Sequence, residues 1–265
     1  MDRFAQTFEK IRKEKRIAFM PFFVGGDPNP AQNLRILKEI AKRTDGLEIG
    51  IPFSDPVADG STVQAADARA LKAGVTPDKV FEIIMNLRKE TDIPITFLVY
   101  ANLVYQRGIE KFYKDAKTAG VDGVLVPDVP FEESEPFVKA AKHAGIRPIF
   151  LITPTTSKER RKKIFSKAEG FLYIVSVLGV TGARAKVEPR TIQLVKTLKR
   201  ETKLPLVVGF GISTPEHIKI LKRAGADGAI VGSALIKHME PYYKTPKALI
   251  KKLRACLRAL QKAAL

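Results

Sequence analysis

The sequence predicts a (β/α)8 TIM barrel, with eight parallel strands inside a ring of helices and one additional helix at the N-terminus. Three observations predict it. Eight short, β-branched apolar runs recur along the chain, amphipathic segments of helical length separate them, and 265 residues lies close to the ~250 typical of one such barrel. Most runs are almost continuously hydrophobic, as expected of parallel strands covered on both faces. No linker or low-complexity segment interrupts them, so residues 1–265 read as a single catalytic domain.

The chain begins with "MDRFAQTFEKIRKEKR", which carries both charge signs and sets Phe4, Phe8 and Ile11 on one helical stripe. That is an amphipathic cap, without the continuous apolar region of a signal peptide. The first four strands are expected at 17–23, 46–51, 95–100 and 123–128, and the next four at 147–152, 171–176, 205–210 and 228–233. Asn29-Pro30 supplies a cap and a proline for a helix whose buried stripe is Leu34, Leu37, Ile40 and Ala41. Thr156 and Glu159 have capping-box spacing. Thr214-Pro215 opens a helix with Ile218, Leu221 and Ala224, closed by Gly225. "TAGVDGVLV" (118–126) and "RAGADGAIV" (223–231) repeat one unit of helix end, glycine stop, Asp-Gly turn and strand. An open doubly wound sheet is the competing architecture, but "FVGGDPNP" after the first strand lacks the dinucleotide fingerprint.

Composition narrows the function classes. The formal charge is +18, from 46 basic and 28 acidic side chains, so a nucleic-acid partner has to be weighed. The basic residues fall in small groups such as "KEIAKR", "RRKK" and "KKLR", with no basic tail and no interleaved aromatics, which reads as a solvated surface. The same field speeds capture of an anionic substrate at low salt. No apolar run approaches the ~18 residues of a membrane span, and a lone cysteine, Cys256, fits a reducing compartment. A cytoplasmic protein is expected.

In such barrels the active site forms at the C-terminal ends of the strands. Side chains alternate along a strand, so in "GLEIGI" the aliphatic Leu47, Ile49 and Ile51 face the helices and Glu48 points into the barrel. A carboxyl group there loses hydration and its pKa rises towards the range of a general acid; a buried glutamate held in an ion pair is the plainer reading. The loop that follows holds Asp55 and Asp59, each placed to shape a turn, with Asp59 equally open to a functional role. "GFG" (209–211) and "GS" (232–233) end strands 7 and 8, where backbone N–H groups can approach an anion, and "SVLGVTGARAKV" after strand 6 has the composition of a lid. Together these point to a phosphorylated ligand. His143, His217 and His238 lie in or beside predicted helices and are expected at the surface. No His/Cys cluster has metal-ligand spacing, and Cys256 is expected half-buried. The chemistry is therefore assigned to carboxylates, with no metal and no cofactor.

The block "LEIGIPFSDPVADG" followed by "QAADARAL" resembles the signature of the tryptophan synthase α chain family, and the likeness continues through "MPFFVGGDP", "YANLVYQRGIEKFY", "GVLVPDVPFEES", "GVTGAR", "GFGIS" and "GAIVGSAL". That resemblance implies a carbon–carbon lyase that splits indole-3-glycerol phosphate into indole and glyceraldehyde 3-phosphate. It implies Glu48 and Asp59 as the catalytic pair, Glu48 moving protons and Asp59 accepting the indole N–H, with Tyr173 helping to place Glu48. Phe22, Leu98, Tyr100 and Leu125 resemble the indole-pocket residues, and each reads equally as barrel core. Gly182, Phe210, Gly211, Gly232 and Ser233 match phosphate-binding positions, and Thr181 matches a lid residue. The implied partner is a β subunit in an α2β2 complex, which alone carries pyridoxal phosphate; loop 53–60 and Asp128, Pro130 and Phe131 resemble the contact surface. Ser61 and Val24 depart from the family's common proline and threonine, which bears on loop stiffness. Two rivals remain: another phosphate-binding barrel enzyme of aromatic amino-acid biosynthesis, and a basic nucleic-acid-binding barrel without enzymatic activity.

Overall fold

The computed structural model describes residues 2–175 and 187–265. Strands β1 (Ala18–Val24), β2 (Leu47–Gly50), β3 (Ile95–Leu98), β4 (Gly123–Leu125), β5 (Arg147–Ile152), β6 (Leu172–Val175), β7 (Leu206–Gly209) and β8 (Gly228–Val231) form a closed parallel barrel in sequence order. Seven lie within the apolar run that predicts them, and β1 is displaced by one residue, ending at Val24 instead of Phe23. Closure is made by β1 against β8, with Ala18 opposite Gly228 and Pro21 opposite Val231. Except in β5, every strand residue is buried, because helices cover the outside while side chains fill the inside.

Helix α1 (Arg3–Lys13) closes the bottom of the barrel. Its buried face is Phe4, Phe8 and Ile11, as the stripe predicts. Phe4 meets Phe171 edge to face at 5.6 Å, and a Cβ on Gly123 would stand 3.1 Å from the Phe4 ring, so the plug needs glycine at the start of β4. Around the same end, the Asp-Gly turns do more than reverse the chain. Asp45, Asp122 and Asp227 each accept the backbone N–H of a residue in the preceding strand, from Phe19 (3.0 Å), Ile95 (2.9 Å) and Leu206 (2.8 Å). Each also holds a cation: Arg16 on Asp45, Arg3 and Arg88 on Asp122, Lys199 on Asp227. These carboxylates latch neighbouring strands where the barrel ladder begins.

Helices α2 (Pro30–Ala41), α3 (Ser61–Lys72), α4 (Pro77–Arg88), α5 (Ala101–Arg107), α6 (Ile109–Ala119) and α7 (Glu135–Ala144) cover the first half of the barrel. The second half is covered by α8 (Lys158–Lys167), α9 (Pro189–Glu201), α10 (Pro215–Ala224), α11 (Ser233–Met239) and α12 (Pro246–Ala264). Asn29 caps α2 by accepting from Gln32 N, and Thr214 caps α10 by accepting from His217 N, as their sequences predict. Gly120 and Gly225 close their helices at φ +93° and +92°, which explains the repeated glycine stop.

Several expectations shift. The cap of α8 is Ser157, not Thr156; Thr156 instead accepts from Thr153 N across the preceding turn. In α2 the buried face is Asn33, Ile36, Leu37, Glu39 and Ile40, so Leu34 and Ala41 are only half-buried. His217 is buried, not at the surface, and its Nδ1 accepts from Ser213 N. The Cys256 thiol is half-buried as expected, and burial pushes its pKa up. Among the described residues no helix is long and apolar enough to cross a membrane.

Candidate active site

Alternation along β2 turns Glu48 inward, where it is 1% exposed. Its neighbour Gly50 also faces inward, and a Cβ there would stand 2.9 Å from the Phe22 ring, so glycine leaves space for an aromatic wall beside the carboxyl group. Phe22 sits opposite Glu48 in the β1–β2 register. Across the barrel Tyr173, on β6, directs its hydroxyl at Glu48 Oε2, 3.4 Å away. Gly209 makes that pose possible, since a Cβ on it would fall 2.1 Å from the Tyr173 oxygen. Glu48 Oε1 is buried and has no hydrogen-bond partner among the described residues. Leaving a carboxyl oxygen dry and unpaired costs stability, so this atom is the first place to seek a substrate.

Asp59 reaches the same cavity from the loop between β2 and α3. It is 5% exposed. Tyr100, at the end of β3, donates its hydroxyl to Asp59 Oδ2 at 2.7 Å and accepts from Ala58 N at 3.1 Å, tying the loop to the barrel. Phe53 stacks on the Tyr100 ring at 5.2 Å. Gln64, one turn into α3, donates to the Asp59 carbonyl at 2.7 Å.

The two carboxyl groups are driven apart in protonation. Burial, and after it the charge of Asp59, pushes Glu48 up to about 8, with the Tyr173 hydroxyl opposing. Burial also raises Asp59, but the Tyr100 hydroxyl favours its carboxylate. Burial and the Asp59 charge thus keep Glu48 protonated at neutral pH, while the Tyr100 hydroxyl stabilises the ionised form of Asp59. A third carboxyl group, Asp67 on α3, is pushed up to about 8 by burial and then by Asp59. Sequence reasoning missed it; its position on the barrel-facing side of α3, with Val63 and Ala70, is the signal that was available.

The cavity is lined by Phe22, Glu48, Asp59, Val63, Leu98, Tyr173, Phe210, Gly211, Ile212, Ile230, Gly232, Ser233 and Ala234. Nine of the predicted residues are therefore brought together, and Val63, Ile212, Ile230 and Ala234 are additions. Tyr100 stands behind Asp59 rather than in the wall. Leu125 is buried in β4 and is not among the residues lining this cavity; it borders a separate depression of about 450 Å3 with no Asp or Glu in its lining. Thr181 and Gly182 lie outside the described residues. The free space in the cavity is about 40 Å3, so a ligand larger than a few waters requires a lining side chain to turn aside. Opposite them, Phe210 holds φ +65° and Gly211 φ +73°, an unusual backbone for a phenylalanine that turns the end of β7 towards the start of α11. Gly232 precedes α11 with no side chain capping it. A left-handed turn facing an uncapped helix start is a suitable seat for an anion.

Of the predicted contact loops, Val57 is 76% exposed, a large apolar side chain held in water. Asp55 is exposed and accepts the Ser54 hydroxyl instead of backbone N–H groups. Asp128 accepts from Ala101 N at 2.9 Å, fastening the loop after β4 to the start of α5. Among the described residues no group of three His, Cys, Asp or Glu side chains is placed to hold a metal.

Known proteins resemble this chain along its whole length. A family model described as "Tryptophan synthase alpha chain" matches residues 8–265. The tryptophan synthase alpha chain of Methanoregula boonei is 49% identical over 265 residues, 100% of this chain and 99% of that protein. That of Vibrio vulnificus is 46% identical over 252 residues, covering 94% of each. Among solved structures, the alpha subunit from Legionella pneumophila superposes with a TM-score of 0.91 at 35% identity, covering 100% of this chain and 98% of that one. The tryptophan synthase complex from Pyrococcus furiosus contains a chain with a TM-score of 0.85 at 34% identity, covering 93% and 98%.

Proposed function

The chain belongs to the tryptophan synthase alpha chain family, and from that premise we propose which of its residues cleave the substrate and how. The reaction is the retro-aldol cleavage of indole-3-glycerol phosphate in tryptophan biosynthesis, so the enzyme is a carbon–carbon lyase. Its difficulty is the leaving group. An indole carbanion is a poor one, and protonation at C3 removes the problem.

Glu48 supplies that proton, since burial keeps it protonated at neutral pH. Protonated C3 places positive charge on the ring, shared with its nitrogen. Asp59, ionised and oriented by Tyr100, accepts the ring N–H and stabilises that charge. Glu48, now a carboxylate, takes the proton of the hydroxyl on the carbon next to the ring. The C–C bond breaks, its electron pair returns to C3, and indole and an aldehyde result. Tyr173 keeps Glu48 Oε2 in place while Oε1 faces the substrate. Phe22 and Leu98 sandwich the ring. The phosphate sits at the far wall, against Phe210, Gly211, Gly232 and Ser233.

No cofactor enters this chemistry on the α side; pyridoxal phosphate belongs to the partner β subunit. The Pyrococcus furiosus relative is described as an a2b2 complex, and this chain pairs with a β subunit in the same way. The exposed Val57, on loop 53–60, supports contact there, and Asp128, Pro130 and Phe131 of the loop after β4 are assigned to the same contact by the family resemblance. We place the enzyme in the cytoplasm as one barrel domain.

A single observation carries the residue assignment: a buried glutamate with an unpartnered oxygen shares one cavity with a buried aspartate. Glu48→Gln and Asp59→Asn test it. Indole release from indole-3-glycerol phosphate drops by roughly two to four orders of magnitude in either variant, while glycerol 3-phosphate still binds. Near-normal cleavage by either one removes that residue from its role.

A further inference from the structure

One arginine joins the two ends of this cavity from behind. Arg69 lies on α3, the helix that begins immediately after Asp59 and Gly60. Its guanidinium makes a two-pronged pair with Asp27 in the loop after β1, Nε to Oδ1 at 2.7 Å and Nη2 to Oδ2 at 3.0 Å. Its remaining Nη1 donates to Glu240 at 2.7 Å. Glu240 directly follows α11, the helix that begins at Ser233 in the cavity wall. The same guanidinium lies 5.3 Å above the Tyr243 ring, and the Tyr243 hydroxyl donates to Asp27 Oδ2 at 2.9 Å.

Asp27 is itself fixed. It is fully buried, and Asn33 donates to its carbonyl at 2.9 Å and to that of Val24 at 3.0 Å. Gln32 ties α2 to the Tyr243 carbonyl at 2.9 Å. The arginine fork is thus clamped against a carboxylate that cannot move with solvent. A pair of this kind, its carboxylate buried and its arginine only partly so, is a poor source of stability, because desolvation offsets most of its attraction, but the planar fork defines distance and angle in a way an apolar contact does not.

We propose that Arg69 is a positioning residue for the cleavage reaction, holding the helix behind Asp59 at a set distance from the helix that begins at Gly232–Ser233. It touches no substrate. It acts by setting the span between the carboxylate that receives the ring N–H and the wall that receives the phosphate. This rests on the assignment of those two ends above. Small errors of span are costly: a misplacement of about 1 Å reduces turnover by as much as ~100-fold.

Arg69→Lys keeps the charge and removes the fork; Arg69→Met removes both. Melting temperature, glycerol 3-phosphate affinity and steady-state indole release are measured for each, and Asp27→Asn serves as the variant from the other side of the pair. The expected result for Arg69→Lys is a folded protein that binds glycerol 3-phosphate within about twofold of the parent, with kcat lowered roughly 10- to 100-fold. Arg69→Lys and Asp27→Asn combined lose little more than either alone. Low-millimolar guanidinium raises the kcat of an Arg69→Ala variant, and methylammonium does not. Parental kcat in folded Arg69→Lys overturns the proposal. So does a kcat loss that is equal in Arg69→Lys and Arg69→Met and matches the fall in melting temperature and in glycerol 3-phosphate binding. Absence of indole release from the parent protein would instead count against the assigned function.

Discussion

Replacing Glu48 by glutamine should make the protein more stable as it makes it inactive, and the gain should grow with pH. In the folded chain burial lifts the Glu48 carboxyl from 4.5 to about 8. In the unfolded chain it titrates near its ordinary value. Below about pH 4 both states are protonated and the group contributes no pH dependence. As pH rises, the unfolded chain releases this proton while the folded chain holds it, so native Glu48 loses stability through the window from 4.5 to about 8. The span corresponds to a differential of about 5 kcal/mol at 1.36 kcal/mol per pH unit, as an order of magnitude. Glutamine has the same shape and does not titrate. Asp67, also raised to about 8, is present in both proteins and cancels from their difference. Urea unfolding of parent and Glu48→Gln at about pH 5 and about pH 8 gives the two differences. The variant's advantage should be several kcal/mol larger at the higher pH. A difference that stays flat, or that shrinks as pH rises, refutes a dry protonated glutamate.

Gly209→Ala puts a methyl group 2.1 Å from the Tyr173 oxygen, so kcat should fall about tenfold or more as the ring is pushed off Glu48, and adding Tyr173→Phe should recover part of the loss in an indole-release assay. Tyr100→Phe removes the hydroxyl that favours the Asp59 carboxylate; the acid limb of the kcat profile should move to higher pH, and an unmoved limb dismisses Tyr100 as the tuning group. Phe4→Ala empties the barrel plug, where Phe4 is 1% exposed, and should cost about 3–5 kcal/mol in denaturant unfolding while leaving the kcat of the folded enzyme within a factor of two.

Periodicity made much of this molecule legible. Strand alternation turned Glu48 inward because its neighbours Leu47 and Ile49 are aliphatic, and the stripe of Phe4, Phe8 and Ile11 marked a plug. Caps at Asn29 and Thr214 followed from side chains that satisfy N–H groups close in sequence. What stayed hidden depends on contacts distant in sequence. Tyr100 reads as pocket wall until its hydroxyl is seen on Asp59, 41 positions away. Leu125 shares the inward side with Leu98, its partner in the β3–β4 register, but is not among the residues lining the cavity, since alternation gives a side without giving a height in the barrel. His217 was misread because a histidine on a polar helix suggests solvent, while its ring in fact closes the turn at Ser213. The Arg69–Asp27 clamp has no local signature; the partners are 42 positions apart and meet through barrel closure. The family signature around Glu48 and Asp59 identified the two acids, but what shifts them is not local: burial and the Asp59 charge raise Glu48, and burial raises Asp59 against the Tyr100 hydroxyl.

The protonation state of Glu48 is open to direct measurement. Carbon NMR of glutamate side chains labelled at the carboxyl group, with the Glu48→Gln spectrum identifying the resonance, follows its titration in the ligand-free enzyme. The signal should remain that of a neutral acid through neutral pH and titrate near 8. A resonance already ionised at pH 7, with a midpoint close to the ordinary 4.5, would leave indole C3 without its proton donor.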